Sequence, residues 1–158
     1  MPCPCCGGHF KVIGSRIRKY IDEASEKIKL NIRRLRCRIC ERIHHELPDF
    51  LAPYKRYENS CIEAVVSGSP NISVPVDEST IFRWRQWFRY LINYIIGCLE
   101  AILARTDHEY SRNKASLPTN SVEKICRYVG DADGWLARVV RTLTNSNLWV
   151  HTRSAFLS

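Results

Sequence analysis

Two Cys-x-x-Cys pairs constrain this chain of 158 residues more than any other feature. The first is Cys3-Pro4-Cys5-Cys6, followed at once by Gly7-Gly8, and the second is Cys37-Arg38-Ile39-Cys40. Two cysteines separated by two residues can turn both sulfurs onto one point. A glycine after the second cysteine permits a positive φ and leaves backbone N–H groups free to face sulfur. Two such knuckles make a closed tetrahedron of Cys3, Cys6, Cys37 and Cys40. Thiolates are soft donors and a closed site keeps no position for water, so structural zinc is the expected occupant; an iron centre would satisfy the same geometry. Cys5 is a spare in this scheme. Cys5 and Cys6 are adjacent and point apart, and Cys3 and Cys5 have one residue between them where the turn needs two. His9, His44 and His45 are close in sequence, but the pair at 44 and 45 follows Cys40 too closely to replace it and reads as surface or sheet-edge histidine.

The other cysteines, Cys61, Cys98 and Cys126, stand alone in apolar surroundings and read as core thiols. The N-terminus has neither a charged start nor an apolar stretch, so no secretory signal and no disulfide scaffold are expected, and the expected compartment is the cytoplasm. The longest apolar run, Leu91 to Ala104, has 14 residues and includes Asn93 and Glu100. A bilayer span needs about 20, so no transmembrane helix and no membrane partner are expected.

Between the knuckles, Phe10–Ile13 and Ile28–Arg33 carry strand signals, the second as a strict alternation of apolar and polar residues. Asp22–Glu26 suits a hairpin tip, and a third short strand fits between Ile43 and Leu47. The result is a small antiparallel ribbon whose apolar area would not hold without the metal. Lys11 to Arg42 contains eleven basic and four acidic residues, so this stretch supplies +7 of the chain's net +8. Arg33, Arg34, Arg36 and Arg38 crowd one knuckle, and Lys55 and Arg56 follow between Tyr54 and Tyr57. The net charge points to a polyanion such as nucleic acid or anionic lipid, and guanidinium groups pair with phosphate through parallel hydrogen bonds while tyrosines stack or hydrogen-bond.

Leu47-Pro48-Asp49 and Ala52-Pro53-Tyr54 read as an extended connector, which places a first unit at residues 1–53 and a second at 54–158. The second unit is helical. A short helix fits about Glu58–Ser67 with Gly68 as its stop, and Ser69-Pro70 and Val74-Pro75 make the next stretch a loop. Asp77 then reads as the N-cap of a helix from about Glu78 to Ala104, with Ile81, Trp84, Phe88, Leu91, Ile95, Leu99 and Ile102 on one buried stripe. Ser79, Thr80, Arg83 and Gln86 decorate its start, and the helix pair resembles a helix-turn-helix whose second helix enters a major groove. Further helices are expected at Ser121–Tyr128, capped by Ser121 and ended by Gly130, and at Asp133–Thr144. Trp84, Trp87, Phe88, Trp135 and Trp149 are expected to pack rather than bind ligand. The fold class is therefore α+β: a small N-terminal antiparallel zinc ribbon followed by an all-α unit with a helix-turn-helix-like pair.

Cys37-Arg38-Ile39-Cys40, with downstream His45-Glu46-Leu47-Pro48 and Pro53-Tyr54-Lys55-Arg56-Tyr57, resembles a bacterial family of uncharacterised zinc-ribbon proteins associated with insertion-sequence transposases, over roughly residues 1 to 100. Ser79-Thr80-Ile81-Phe82-Arg83-Trp84 is similar to the helix-turn-helix that follows such ribbons. The resemblance implies zinc on Cys3, Cys6, Cys37 and Cys40 and DNA contact by the Arg83 helix. Transposases carry a catalytic carboxylate domain downstream, whereas this chain ends at Ser158, so the expectation is binding without strand transfer. The sequence also offers no Ser-His-Asp or Cys-His set, no phosphate-binding G-x-x-x-x-G-K-[ST] loop and only scattered carboxylates. A non-enzymatic protein bound to double-stranded DNA is the leading expectation. The alternative is an adaptor that docks a transposase, recombinase or polymerase subunit, and the long apolar helix offers a surface for a homodimer.

Overall fold

The structure, a computed structural model, describes residues 1–68, 74, 76–106 and 120–149. It is α+β: a three-stranded antiparallel sheet at the N-terminus followed by helices. The strands are β1 (Phe10–Ile21), β2 (Lys27–Cys37) and β3 (Ile43–His45), in the spatial order β1-β2-β3. The helices are α1 (Asn59–Val66), α2 (Glu78–Thr106), α3 (Ser121–Val129) and α4 (Trp135–Asn145). The loop expected around Ser69-Pro70 and Val74-Pro75 falls, Val74 apart, outside the described residues.

The β1–β2 hairpin is much longer than the local strand signals. Residues Lys11–Ile17 are all exposed, so no burial pattern marks them; they are extended because β2 pairs with them from Phe10↔Cys37 to Ile21↔Lys27. The register shifts between Val12 and Gly14, opposite Leu35 and Arg34. Across that bulge the buried phase of β2 moves from Ile32 to Leu35 and Cys37. The tip lies where Asp22–Glu26 was expected, but it closes by side-chain chemistry: Asp22 Oδ1 accepts from Glu26 N–H at 2.8 Å, and Ser25 takes the left-handed φ of 68°.

The connector fastens that end of the hairpin. Ile21 N–H donates to the Arg56 carbonyl at 2.7 Å, Glu58 N–H donates to the Ile21 carbonyl at 3.3 Å, and Ile21 forms a parallel bridge with Tyr57. The half-buried Arg18 reaches from β1 to the carbonyls of Ala52 (2.8 Å) and Lys55 (2.6 Å). Leu51 and Ala52 are fully buried, so the connector is packed as well as hydrogen-bonded.

The helical half is built on α2. Its expected stripe is buried at Trp84, Phe88, Leu91, Ile95 and Leu99, joined by Trp87, Ile92 and Cys98, while Ile81 and Ile102 are half-buried. Ile62, Val65, Ile125, Leu136, Val139 and Leu143 pack against it from the other three helices. Burying an aliphatic side chain of this size is worth about 2 kcal/mol, so this half carries its own core. The sheet buries far less: Tyr20, Ile32, Leu35 and Cys37. Contrary to the expectation from the sequence, α2 is long and apolar enough, by length and composition alone, to cross a membrane, a test that the core helix of a soluble protein also passes. Cys61 and Cys98 are buried as expected, and Cys126 is half-buried against the same core.

Two N-caps were expected from the sequence, Asp77 and Ser121. Asp77 caps α2 as expected, its Oδ1 accepting from Thr80 N–H at 2.6 Å. α3 is capped by Asn120, not Ser121: Asn120 Oδ1 accepts from Val122 N–H at 3.0 Å. α4 begins after Gly134 rather than at Asp133, and its orphan donors are met from another helix. Glu63 of α1 accepts from Gly134 N–H (2.8 Å) on Oε1 and from Leu136 N–H (2.9 Å) on Oε2. Glu63→Ala should therefore lower unfolding free energy by about 1–2 kcal/mol in denaturant titration, with Glu63→Gln keeping part of the loss back.

Candidate metal centre

The two Cys-x-x-Cys turns adopt the same local structure. Cys3 N–H donates to the Gly8 carbonyl at 2.9 Å, and Cys37 N–H donates to the Arg42 carbonyl, also five residues on, at 3.0 Å. The residue after each second cysteine is left-handed: Gly7 at φ 73° and Glu41 at φ 58°. Gly7 fills that position at no steric cost. Gly8 is needed for a different reason, because a Cβ there would lie 3.0 Å from Cys37 Sγ and 2.9 Å from Ile39 Cδ1. Arg38 N–H donates to the His9 carbonyl at 2.9 Å, which locks one knuckle against the other.

This arrangement gathers Cys3, Cys6, Cys37 and Cys40 with all four sulfurs within 4.8 Å of one another. Cys6 Sγ and Cys37 Sγ are 3.4 Å apart, and Cys3 Sγ and Cys40 Sγ are 3.7 Å apart. A metal–sulfur distance of about 2.3 Å gives a tetrahedral edge of about 3.8 Å, so the donor set can hold one ion. The electrostatics agree. The Cys40 N–H holds the Cys37 thiol down to about 6, helped by the Ile39 N–H at 3.4 Å and by its sulfur neighbours. The Arg42 N–H pulls Cys40 the same way, but burial and the crowding sulfurs of Cys6, Cys37 and Cys3 push it up to about 12. One anion is welcome here and a second is resisted until a cation arrives.

Two residues outside the expected set also converge on the site. β3 pairs Leu35 with His44, which brings His44 Nε2 to 3.6 Å from Cys3 Sγ and 3.9 Å from Cys5 Sγ. Cys3, Cys5 and His44 form a second group whose ligand atoms lie within 4.8 Å of one another. His44, expected at the surface or sheet edge, is half-buried against the cysteines, and Cys5, expected as a spare, lies beside it. Burial, then the neighbouring Arg42, lowers the His44 pKa and favours neutral imidazole. His45 and His9 are exposed, as expected for surface histidines.

Beside this centre, between β1, the connector and the end of α4, lies a groove of about 960 Å³. Arg16, Lys19, Lys27, Arg42, Lys55 and Arg56 line it together with Arg18, His44, His45, Tyr54 and Trp149, and among the described residues no Asp or Glu does. Burial and then Arg16, Arg34, Arg18 and His44 hold the His45 pKa down. Lys55 stands 4.1 Å over the Trp87 ring, and burial brings its pKa down to about 8.

The structure distributes the residues expected to meet nucleic acid. Lys55 and Arg56 line the groove. Arg33 is held in a fork by Glu46 at 2.5 and 2.7 Å, Arg36 pairs with Glu41 at 3.1 Å, Arg34 is half-buried on β2, and Arg38 is exposed in its knuckle. Ser79, Thr80, Arg83 and Gln86 begin α2 away from the groove lining. Arg83 folds back there, donating to the Ser79 carbonyl (3.1 Å), Ser79 Oγ (2.9 Å) and Thr80 Oγ1 (3.4 Å). The groove cations Arg16, Lys19, Lys27 and Arg42 belong to the basic stretch Lys11–Arg42 but lie outside its densest run at 33–38. Of the aromatics, Trp84, Phe88 and Trp135 pack in the core as expected, Tyr57 stacks edge-on against Trp84, and Trp149 serves both core and groove.

A family model described as a domain of unknown function, DUF6431, matches residues 3–84. The chain belongs to the DUF6431 family. The DUF6431 match runs from the first site cysteine to Trp84 of α2, so it takes in both knuckles, His44 and every Lys and Arg of the groove. The groove residues Thr144, Asn147 and Trp149 lie outside it. No curated protein and no solved structure matches the chain.

Metal binding must displace the thiol protons, so affinity should rise with pH by about tenfold per unit for each proton displaced. The interacting thiols of Cys37 and Cys40 are pushed in opposite directions, one down to about 6 and the other up to about 12, so the pair still has a proton to displace throughout the neutral range. Chelator competition at pH 6, 7 and 8 measures this slope. Removing the metal should abolish amide-exchange protection in the hairpin while the helical signal in circular dichroism persists.

Proposed function

We propose that this DUF6431 protein is a non-catalytic, zinc-organised DNA-binding protein of the cytoplasm. Zinc is the metal that suits the donors: four soft thiolates in a closed tetrahedron leave no position for water and call for no redox chemistry. The ion acts structurally, setting the open end of the hairpin so that the cations of β1 face the connector.

The observation that carries the reading is the groove. Arg16, Lys19, Lys27, Arg42, Lys55 and Arg56 share one concavity without a carboxylate among its described residues. Like charges gathered in a cleft repel one another and favour occupation by an anion, and a phosphate strand supplies regularly spaced charge. Tyr54 and Trp149 add aromatic surface at its wall. The start of α2, with Ser79, Thr80, Arg83 and Gln86, supports the helix-turn-helix reading in that α1 and α2 pack together in one core. The resemblance to transposase-associated ribbons supports a place in mobile-element biology. That α2 buries its apolar stripe against α1, α3 and α4 supports a core helix and a cytoplasmic protein.

Duplex affinity should fall steeply as salt rises, because phosphate contacts release counterions. Arg16→Ala with Arg56→Ala should reduce the slope of log affinity against log salt by about 2, uniformly across sequences. Arg33→Ala with Arg36→Ala should change it less, since Glu46 and Glu41 already neutralise those side chains. Fluorescence anisotropy on a labelled duplex measures both, and affinity that ignores salt, or equal slopes for the two variants, would contradict the reading.

A further inference from the structure

We infer that the centre is binuclear: a second divalent ion, held by Cys3, Cys5 and His44, shares the Cys3 sulfur with the first. The inference rests on metal occupying the four-sulfur site and is independent of what binds in the groove. Its ligands are assembled by the fold rather than by a local motif. The first knuckle places Cys3 and Cys5, and the pairing Leu35↔His44 on β2–β3 turns the imidazole towards them. The separations are close to those of a tetrahedral site: His44 Nε2 lies 3.6 Å from Cys3 Sγ and 3.9 Å from Cys5 Sγ, against a nitrogen–sulfur edge of about 3.5 Å for bond lengths of about 2.0 and 2.3 Å.

Charge favours the second ion. One divalent ion on four thiolates leaves −2 at the centre. Adding a second ion together with the Cys5 thiolate gives five negative sulfurs against four positive charges, a net of −1, and Arg42 Nη1 lies 3.5 Å from Cys5 Sγ to offset it. A thiolate that binds one ion keeps lone pairs for another, so bridging by Cys3 breaks no bond and needs no redox partner; Cys5 gives up its proton to solvent as the ion enters. Phe10, edge-on to His44 with ring centroids 5.2 Å apart, fixes the ring plane. Three protein ligands leave one coordination position. Cys5 and His44 both line the basic groove, and Asn147 Oδ1 stands 3.6 Å from Cys5 Sγ, so that position would open on the groove.

The competing account has His44 donating an N–H to the Cys3 thiolate of a single-ion site, with Cys5 idle. Metal content separates them. The full chain, purified without phosphate and titrated with zinc against a chromophoric chelator, should bind two equivalents, the second more weakly. Cys5→Ser and His44→Ala, which retain Cys3, Cys6, Cys37 and Cys40, should each bind one. Cobalt loading gives an independent readout: visible absorption should keep growing beyond the first equivalent in the native chain and stop there in both variants. One equivalent in the native protein and in both variants would overturn the second site and leave the first intact. Loss of all metal in either variant would mean that Cys5 or His44 serves the first ion, which also overturns it. No metal in any of them would remove the four-sulfur site and this proposal with it.

Discussion

The structure depends on four sulfur atoms meeting where two distant parts of the chain cross. Cys3 and Cys6 come from the extreme N-terminus, Cys37 from the end of β2 and Cys40 from the turn beyond it. Around them the sheet has little else to hold it. Most of β1 is exposed, and the buried side chains of the hairpin amount to Tyr20, Ile32 and Leu35 besides Cys37. A two-stranded ribbon of this kind is marginal in water, and an ion bound only by the folded form adds its binding free energy to folding. The hairpin is therefore pinned at both ends: by the sulfur cluster at one, and at the other by Arg18, Ile21 and the connector.

The same pinning concentrates positive charge. β1 carries Arg16, Arg18 and Lys19, and the connector carries Lys55 and Arg56; clamping the two together makes one basic wall. The cost of that field shows in the neighbours, for burial and then Arg16 and other cations depress the His45 pKa. On the opposite side of the balance, Glu46 and Glu41 quench Arg33 and Arg36. Density of arginine in the sequence and density of available positive charge on the surface are thus different things in this protein.

What could be read from the sequence was local chemistry. The knuckles, the glycine after the first of them, the tip at Asp22–Glu26, the Asp77 cap and the buried stripe of α2 each depend on residues within a turn or two of one another. What could not be read depended on partners far along the chain. Residues Lys11–Ile17 have no buried face, so only pairing with β2 makes them a strand. His44 joins the cysteines through the register of β3, and Glu63 caps a helix that begins some seventy residues later. The groove draws on residues from Pro4 to Trp149. Asn120 in place of Ser121 is a shift of a single position between two good cap formers.

X-ray absorption at the metal edge of the purified protein tests the central claim most directly. The account predicts a zinc edge with a first shell dominated by sulfur at about 2.3 Å. A shell of nitrogen and oxygen at about 2.0–2.2 Å, or a protein that keeps its hairpin folded with no metal present, would contradict it.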